Sequence, residues 1–320
     1  MTTTDRWDPE MRAARERMDA EAAKYPPVLP QAPFDPHRAV NDRIAMLFGT
    51  GGPEMAQTEE RWVSAQGRRV LCRLHRPVIG ANQPLLVWLH GGGWVFASID
   101  THDRLVRELA AASGYAAVSV DYTLSPEARF PQAVYECAEV IRKIAADAAA
   151  WGINPARIVV GGDSAGGNLA LATAIALRDH ATSRGGPKLA GILAGYPVTD
   201  TDFDSPSYRE FAEGFGLTRA GMQAYWDLYL RDHADRSNPL AAPLRDSQVG
   251  MPPTLVQLAE LDVLYSDGER LAAKMAVAGV KVTLETYKGM LHGFLRFSEA
   301  VGKSRAAITS AGKWLKALNK

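Results

Sequence analysis

The chain has little that would point to a secreted, membrane-bound or nucleic-acid-binding protein. Its two cysteines, Cys72 and Cys137, are too few for a disulfide framework or a zinc cluster. They are expected as reduced thiols packed like small apolar side chains. Net charge is zero, with 36 basic and 36 acidic residues, so no basic field exists to hold a phosphate backbone and nucleic acid is excluded as a partner. No run of 18 apolar residues could span a bilayer. Nor does the first stretch, Met1 to Asp8, carry the apolar core of a secretory signal, and the expectation is a cytoplasmic protein. What is present, 47% hydrophobic and 22% charged residues, is enough to bury a large core.

Residues 1–55 read as a polar arm, with a charge-rich helical stretch from Pro9 to Ala23 and a proline-rich one from Tyr25 to Pro36. Thr50-Gly-Gly-Pro53 punctuates its end. Beyond it, short apolar strands alternate with helices. Strands are predicted over Glu59–His75, Leu85–Leu89, Ala116–Val120, Arg157–Val160, Leu189–Ala194, Thr254–Ala259 and Lys281–Tyr287. Helices are predicted near Gln132–Ala149, Gly166–Asp179, Gly268–Ala278 and Glu299–Leu318. That alternation predicts an α/β fold, a mostly parallel central sheet flanked by helices. Residues 200–235 interrupt it with a helical, aromatic-rich insertion that includes Phe203, Tyr208, Tyr225 and Trp226. The predicted organisation is one α/β domain over residues 56–320, an N-terminal arm over 1–55, and a cap insertion at about 200–235.

The decisive run is Gly162-Asp-Ser-Ala-Gly166, a G-x-S-x-G between an apolar strand and an alanine-rich helix. A nucleophilic serine needs that strand–turn–helix so that its Oγ projects from the sheet edge. Side chains two residues either side would collide where strand and helix meet, so Gly162 and Gly166 leave room. The run matches neither glycine-rich phosphate-binding motif. Upstream, His90-Gly-Gly-Gly-Trp94 follows a buried strand. Consecutive glycines let backbone N–H groups approach a developing oxyanion, and the N–H of the residue after the serine, Ala165, completes such a hole.

Ser164 needs a base, and that base an acid. Of seven histidines, His292 in Gly289-Met-Leu-His-Gly-Phe294 follows a strand late in the chain, where the order Ser, Asp/Glu, His requires it. His90 is read as bracing the glycine loop, and His180 and His233 as surface or packing residues. The acid is read as Asp262, which ends the strand from Thr254. One helix and one strand separate it from His292, and a right-handed crossover brings the two to the same edge of neighbouring strands. Glu260, Asp267 and the group Asp200, Asp202 and Asp204 are weaker candidates, by direction, by position in a helix N-terminus and by turn chemistry respectively.

With these residues the chain resembles the bacterial hormone-sensitive-lipase-like esterases, the family IV lipolytic enzymes, of the α/β-hydrolase fold. The resemblance runs from Gln83 to Phe297. It rests on HGGGW at 90–94, GDSAGGN at 162–168 and the Asp262–His292 spacing, with departures at Thr123, Ser125 and Val263 from the family's other motifs. It implies Gly92, Gly93 and Ala165 as oxyanion donors, a helical cap from the arm and the insertion, no cofactor or metal, and a small-molecule ester of short to medium chain as substrate. Many members form homodimers. An amidase or formamidase with the same triad, a small-molecule receptor on this fold, and a lipase acting at oil–water interfaces are the other readings. His292 argues against the receptor, because a receptor can lose its base.

Overall fold

Two helices open the chain. In the computed structural model, which describes residues 3–318 and only the backbone of Ser183 and Arg184, α1 (Pro9–Ala22) follows a short 3-10 turn. Met1, Thr2, Asn319 and Lys320, part of the predicted arm and domain, lie outside the described residues. Asp8 caps α1, its carboxylate accepting the N–H groups of Glu10 and Met11. α2 (Phe34–Gly49) was not expected from the sequence, because Pro36 and four charged side chains obscure its apolar face. That face is nonetheless real: Ile44, Ala45 and Phe48 are buried, and Phe48 meets Phe297 edge-on at 5.0 Å.

The stretch 59–75, read as one strand, is a hairpin. β1 (Gln57–Ala65) and β2 (Arg68–Arg76) pair antiparallel, and Gln66 and Gly67 turn the corner at φ 47° and 78°. Two consecutive positive φ values match the twist of the flanking strands. The chain continues through β3 (Gln83–Leu89), α3 (Asp103–Ser113), β4 (Ala116–Val120), α4 (Gln132–Ala146), β5 (Ile153–Asp163) and α5 (Ala165–Arg184). After β6 (Gly191–Gly195), the insertion contains the short helices α6 (Pro206–Glu210) and α7 (Arg219–Tyr229), with irregular chain between them rather than continuous helix. β7 (Thr254–Leu261), α8 (Tyr265–Val277), β8 (Val282–Leu291) and α9 (Gly302–Ala317) complete it.

The eight strands form one sheet in the order β1-β2-β4-β3-β5-β6-β7-β8. β2 runs antiparallel to both neighbours, and every pairing from β4 to β8 is parallel. Every residue of β4 and β6 is buried, as a parallel sheet covered on both faces requires. This is the α/β-hydrolase architecture. Its consequence for chemistry is positional: the parallel strands all end at one edge, where their loops gather.

The N-terminal arm reaches that edge. Asp8 N–H donates to the Gly289 carbonyl at 3.0 Å, three residues before His292, and Lys303 Nζ pairs with the Asp8 carboxylate at 2.8 Å. Arg6 pairs with Glu210 of α6 at 2.8 Å and lies over the Phe211 ring. Arg38 of α2 donates to the Val95 carbonyl at 2.8 Å, just past the glycine loop. Met11 and Ala14 fix α1 by burial. Met11→Ala is expected to cost about 2–4 kcal/mol of stability, read from urea unfolding; a loss below about 0.5 kcal/mol would mean the arm is not integral to the fold.

Candidate active site

β5 delivers Ser164. Its last residue, Asp163, pairs with Gly195 of β6, and Ser164 N–H donates to the Gly195 carbonyl at 2.8 Å. There the chain reverses into α5, and Ser164 takes φ 55° and ψ −121°. A non-glycine residue in that region is strained and persists only where its surroundings hold it. The surroundings are close. A Cβ on Gly162 would stand 2.3 Å from the Gly166 carbonyl oxygen, and one on Gly166 would stand 2.0 Å from the Leu89 carbonyl oxygen. Those distances are physically forbidden, so both glycines are obligatory at the elbow.

β7 and β8 deliver the other two groups. Leu261 and Leu291 are register partners on these adjacent parallel strands, so the next residues of each, Asp262 and His292, emerge side by side. His292 Nδ1 donates to Asp262 Oδ2 at 2.6 Å, and Ser164 Oγ lies 2.9 Å from His292 Nε2. Asp262 is 1% exposed, and its Oδ1 accepts the Leu264 N–H at 3.0 Å. A fixed carboxylate, an imidazole and a hydroxyl therefore form one relay. The competing acids are engaged elsewhere. Glu260 accepts the Gly289 N–H, and the buried Asp267 lies 3.4 and 3.3 Å from the N–H groups of Thr199 and Asp200. Asp200 and Asp202 pair with Arg270, and Asp204 with Arg219.

The glycine loop follows β3, alongside β5. Gly92 has φ 125° and Gly93 φ 61°, and a Cβ on Gly92 would stand 2.1 Å from the Phe96 carbonyl oxygen. Among the described residues the N–H groups of Gly92 and Gly93 bond to no acceptor, and both glycines line the cavity that holds Ser164. Ala165 is the first residue of α5, whose N–H has no carbonyl a turn earlier. His90 braces the loop: its Nδ1 donates to the Gly91 carbonyl at 2.8 Å and its ring stacks on Tyr122 at 4.4 Å.

A second carboxylate lies beside the serine, and sequence reasoning left it without a role. Asp163 is buried, accepts the Gly91 N–H at 3.0 Å, and has His102 Nε2 at 3.3 Å, with Tyr196 OH donating from 3.5 Å. Burial alone would raise its pKa, but His102, the more distant Arg296 and the Gly91 N–H together hold it down to about 2. The charged carboxylate thus ties the glycine loop to the end of β5. Its only sequence signal was its place directly before Ser164. His102 had none.

The cavity around Ser164 is about 170 Å³. Phe96, Leu217, Met222 and Tyr225 form its apolar wall, with Asn41 of α2, His292 and Arg296 at its polar side. His180 and His233 lie outside it. Most insertion aromatics pack rather than line it: Tyr229 stacks on Trp94 at 4.2 Å, with Trp226 beside them. A larger cleft of about 1220 Å³ lies on the other side of α2, lined by charged residues such as Asp42, Arg43, Arg73 and Asp103, and contains none of the relay.

Residues 86–296 match the model of a family described as having the alpha/beta hydrolase fold, and the chain belongs to that family. This agrees with the resemblance to hormone-sensitive-lipase-like esterases. The chain is 36% identical over 273 residues to the carboxylesterase NlhH of Mycobacterium tuberculosis, covering 81% of this chain and 84% of that one. Its fold is similar to a thermostable esterase from Pseudomonas putida (TM-score 0.89, 35% identity, 98% of both chains). It is also similar to a hyperthermophilic esterase from the archaeon Pyrobaculum calidifontis (TM-score 0.89, 30% identity, 98% of this chain and 99% of that one). Among the described residues no helix is long and apolar enough to cross a membrane.

Two outcomes test this account of the site. Gly166→Ala should cost at least about 3 kcal/mol, because backbone must move to admit the methyl group; urea unfolding close to wild type would contradict it. The second concerns acid. Burial and the neighbouring His102 hold the His90 pKa down to about 3 from 6.5. Below pH 6.5 the unfolded chain therefore takes up a proton that the folded chain refuses, and stability falls until about pH 3. Asp163 adds a loss as pH falls from its ordinary 3.8 through about 2. His90→Gln should flatten the stability profile between about pH 6 and 4, measured by urea unfolding across pH; an unchanged slope would refute the assignment.

Proposed function

We propose that this carboxylic ester hydrolase cleaves esters of short to medium acyl chain by two-step acyl transfer at Ser164. His292 takes the hydroxyl proton as Ser164 Oγ bonds to the ester carbonyl carbon. Negative charge moves onto the carbonyl oxygen, held by the N–H groups of Gly92, Gly93 and Ala165. The tetrahedral intermediate collapses, His292 returns the proton to the departing alcohol, and the acyl group stays on Ser164. Water then attacks with the same base and releases the acid. Asp262 fixes the imidazole and stabilises its cation.

The observation that carries the reading is the unbroken relay, 2.6 Å from Asp262 to His292 and 2.9 Å from His292 to Ser164, opening on two unbonded glycine N–H groups. A chain-length limit is supported by the modest cavity, about 170 Å³, walled by the side chains of Phe96, Leu217, Met222 and Tyr225. In this reading the arm, with Asn41 on one wall, and the insertion, with Leu217, Met222 and Tyr225, together form a cap over the site. A cytoplasmic location suits the two free, buried thiols.

Ser164→Ala should lower kcat on 4-nitrophenyl acetate by about 10⁴-fold or more while leaving the unfolding midpoint near wild type. Fluorophosphonate labelling, one per chain in the wild type, should disappear with it. Turnover by the variant within tenfold of wild type would sink the assignment. Comparing acetyl, butyryl and long-chain esters with the matching anilides measures the acyl limit and separates esterase from amidase.

A further inference from the structure

We propose that Arg296 is a specificity-determining residue that binds a carboxylate on the alcohol part of the substrate, so that the preferred esters are acylated hydroxy acids. The inference rests on the esterase reading above. Arg296 sits on a short 3-10 turn, Phe294–Phe297, directly after the His292 loop. The other three side chains of the turn, Phe294, Leu295 and Phe297, are buried and anchor it, while Arg296 is half-buried and lines the cavity that holds Ser164. Gly293 takes φ 81°, and a Cβ built there would stand 3.5 Å from Arg296 Nη2. The guanidinium therefore lies across the residue next to His292.

Among the described residues it forms no hydrogen bond and no ion pair within 4 Å. Arg17, Arg43, Arg69, Arg157 and Arg209 likewise form neither, but those side chains are exposed to water, whereas Arg296 is half-buried beside Ser164. Asp163, the nearest buried carboxylate in the cavity, is already held by Gly91 N–H and His102, and Arg296 acts on it only at a distance. Asn41, on the same cavity, likewise has a side chain without a hydrogen-bond partner. A half-buried guanidinium lining a small cavity, with its planar fork unused, is arranged to take a carboxylate in two parallel bonds.

The side of the ester follows from proton traffic. His292 gives its proton to the leaving alcohol, so that half of the substrate rests against His292. Arg296, four residues further on with its guanidinium over Gly293, faces the same half. The acyl half lies towards Ser164 and the glycine loop.

The test compares two ester pairs in the wild type, Arg296→Gln and Arg296→Lys. The alcohol-side pair is acetoxyacetate and its neutral counterpart 2-methoxyethyl acetate, followed by acetate release. The acyl-side pair is the monoanion of 4-nitrophenyl glutarate and neutral 4-nitrophenyl pentanoate. The wild type should favour acetoxyacetate in kcat/KM over its neutral partner. Arg296→Gln should reduce that ratio about ten- to a hundred-fold, and Arg296→Lys should retain part of it. Added salt should weaken the wild-type preference. Wild type without alcohol-side preference, a ratio unchanged in Arg296→Gln, or a preference confined to the acyl side would overturn the proposal while leaving the esterase reading intact. Failure to hydrolyse any of the four esters would overturn both.

Discussion

The crossing of β3, β5 and α5 leaves no room for a single extra carbon. A methyl group on Gly166 would meet the Leu89 carbonyl oxygen at 2.0 Å, and one on Gly162 would meet the Gly166 carbonyl oxygen at 2.3 Å. That closeness is what allows the turn to be so tight, with Ser164 held at φ 55° and its Oγ lifted clear of the sheet. It also sets the glycine loop, which starts one residue after Leu89, against the start of α5. Ser164 and the glycine loop are thus fixed to one another by backbone packing, the least deformable material a protein has.

A buried charge reinforces the crossing. Asp163 joins the loop to the elbow through the Gly91 N–H, and His102 completes its hydrogen bonding. Burying an unpaired carboxylate would be costly, so the pairing must be maintained in the folded state. The same arrangement explains His90, which stays neutral because burial and the neighbouring His102 both oppose its protonation. The Asp163–His102 contact and the His90 ring are packed behind the glycines and brace the loop.

The arm and the insertion act on this frame from outside. Tyr229 and Trp226 pack on Trp94, the residue that ends the glycine loop, and Arg38 holds the Val95 carbonyl. A Cβ on Gly93 would stand 2.5 Å from the Tyr225 ring, so α7 lies directly over the loop. α7 and the glycine loop beneath it are therefore one packed unit. Motion of α7 away from the core would loosen the loop as well as open the site.

The sequence by itself determined the local geometry. Ser164, the glycine loop, Asp262 and His292 were legible because each sits in a short pattern whose geometry is dictated within a few residues: a strand end, a tight turn, a run without Cβ atoms. The alternation of apolar strands and helices was enough for the sheet, although the turn at Gln66-Gly67 and helices α2 and α3 escaped it. Those depended on φ values and on buried faces that show only against partners. Long-range pairing was decided by the tertiary structure alone. Only the fold brings Asp163 to Gly91 and His102, 72 and 61 residues away, and lays Arg296 across Gly293 with no partner among the described residues. Such meetings depend on strand register and loop packing summed over the whole sheet, and no local pattern encodes them.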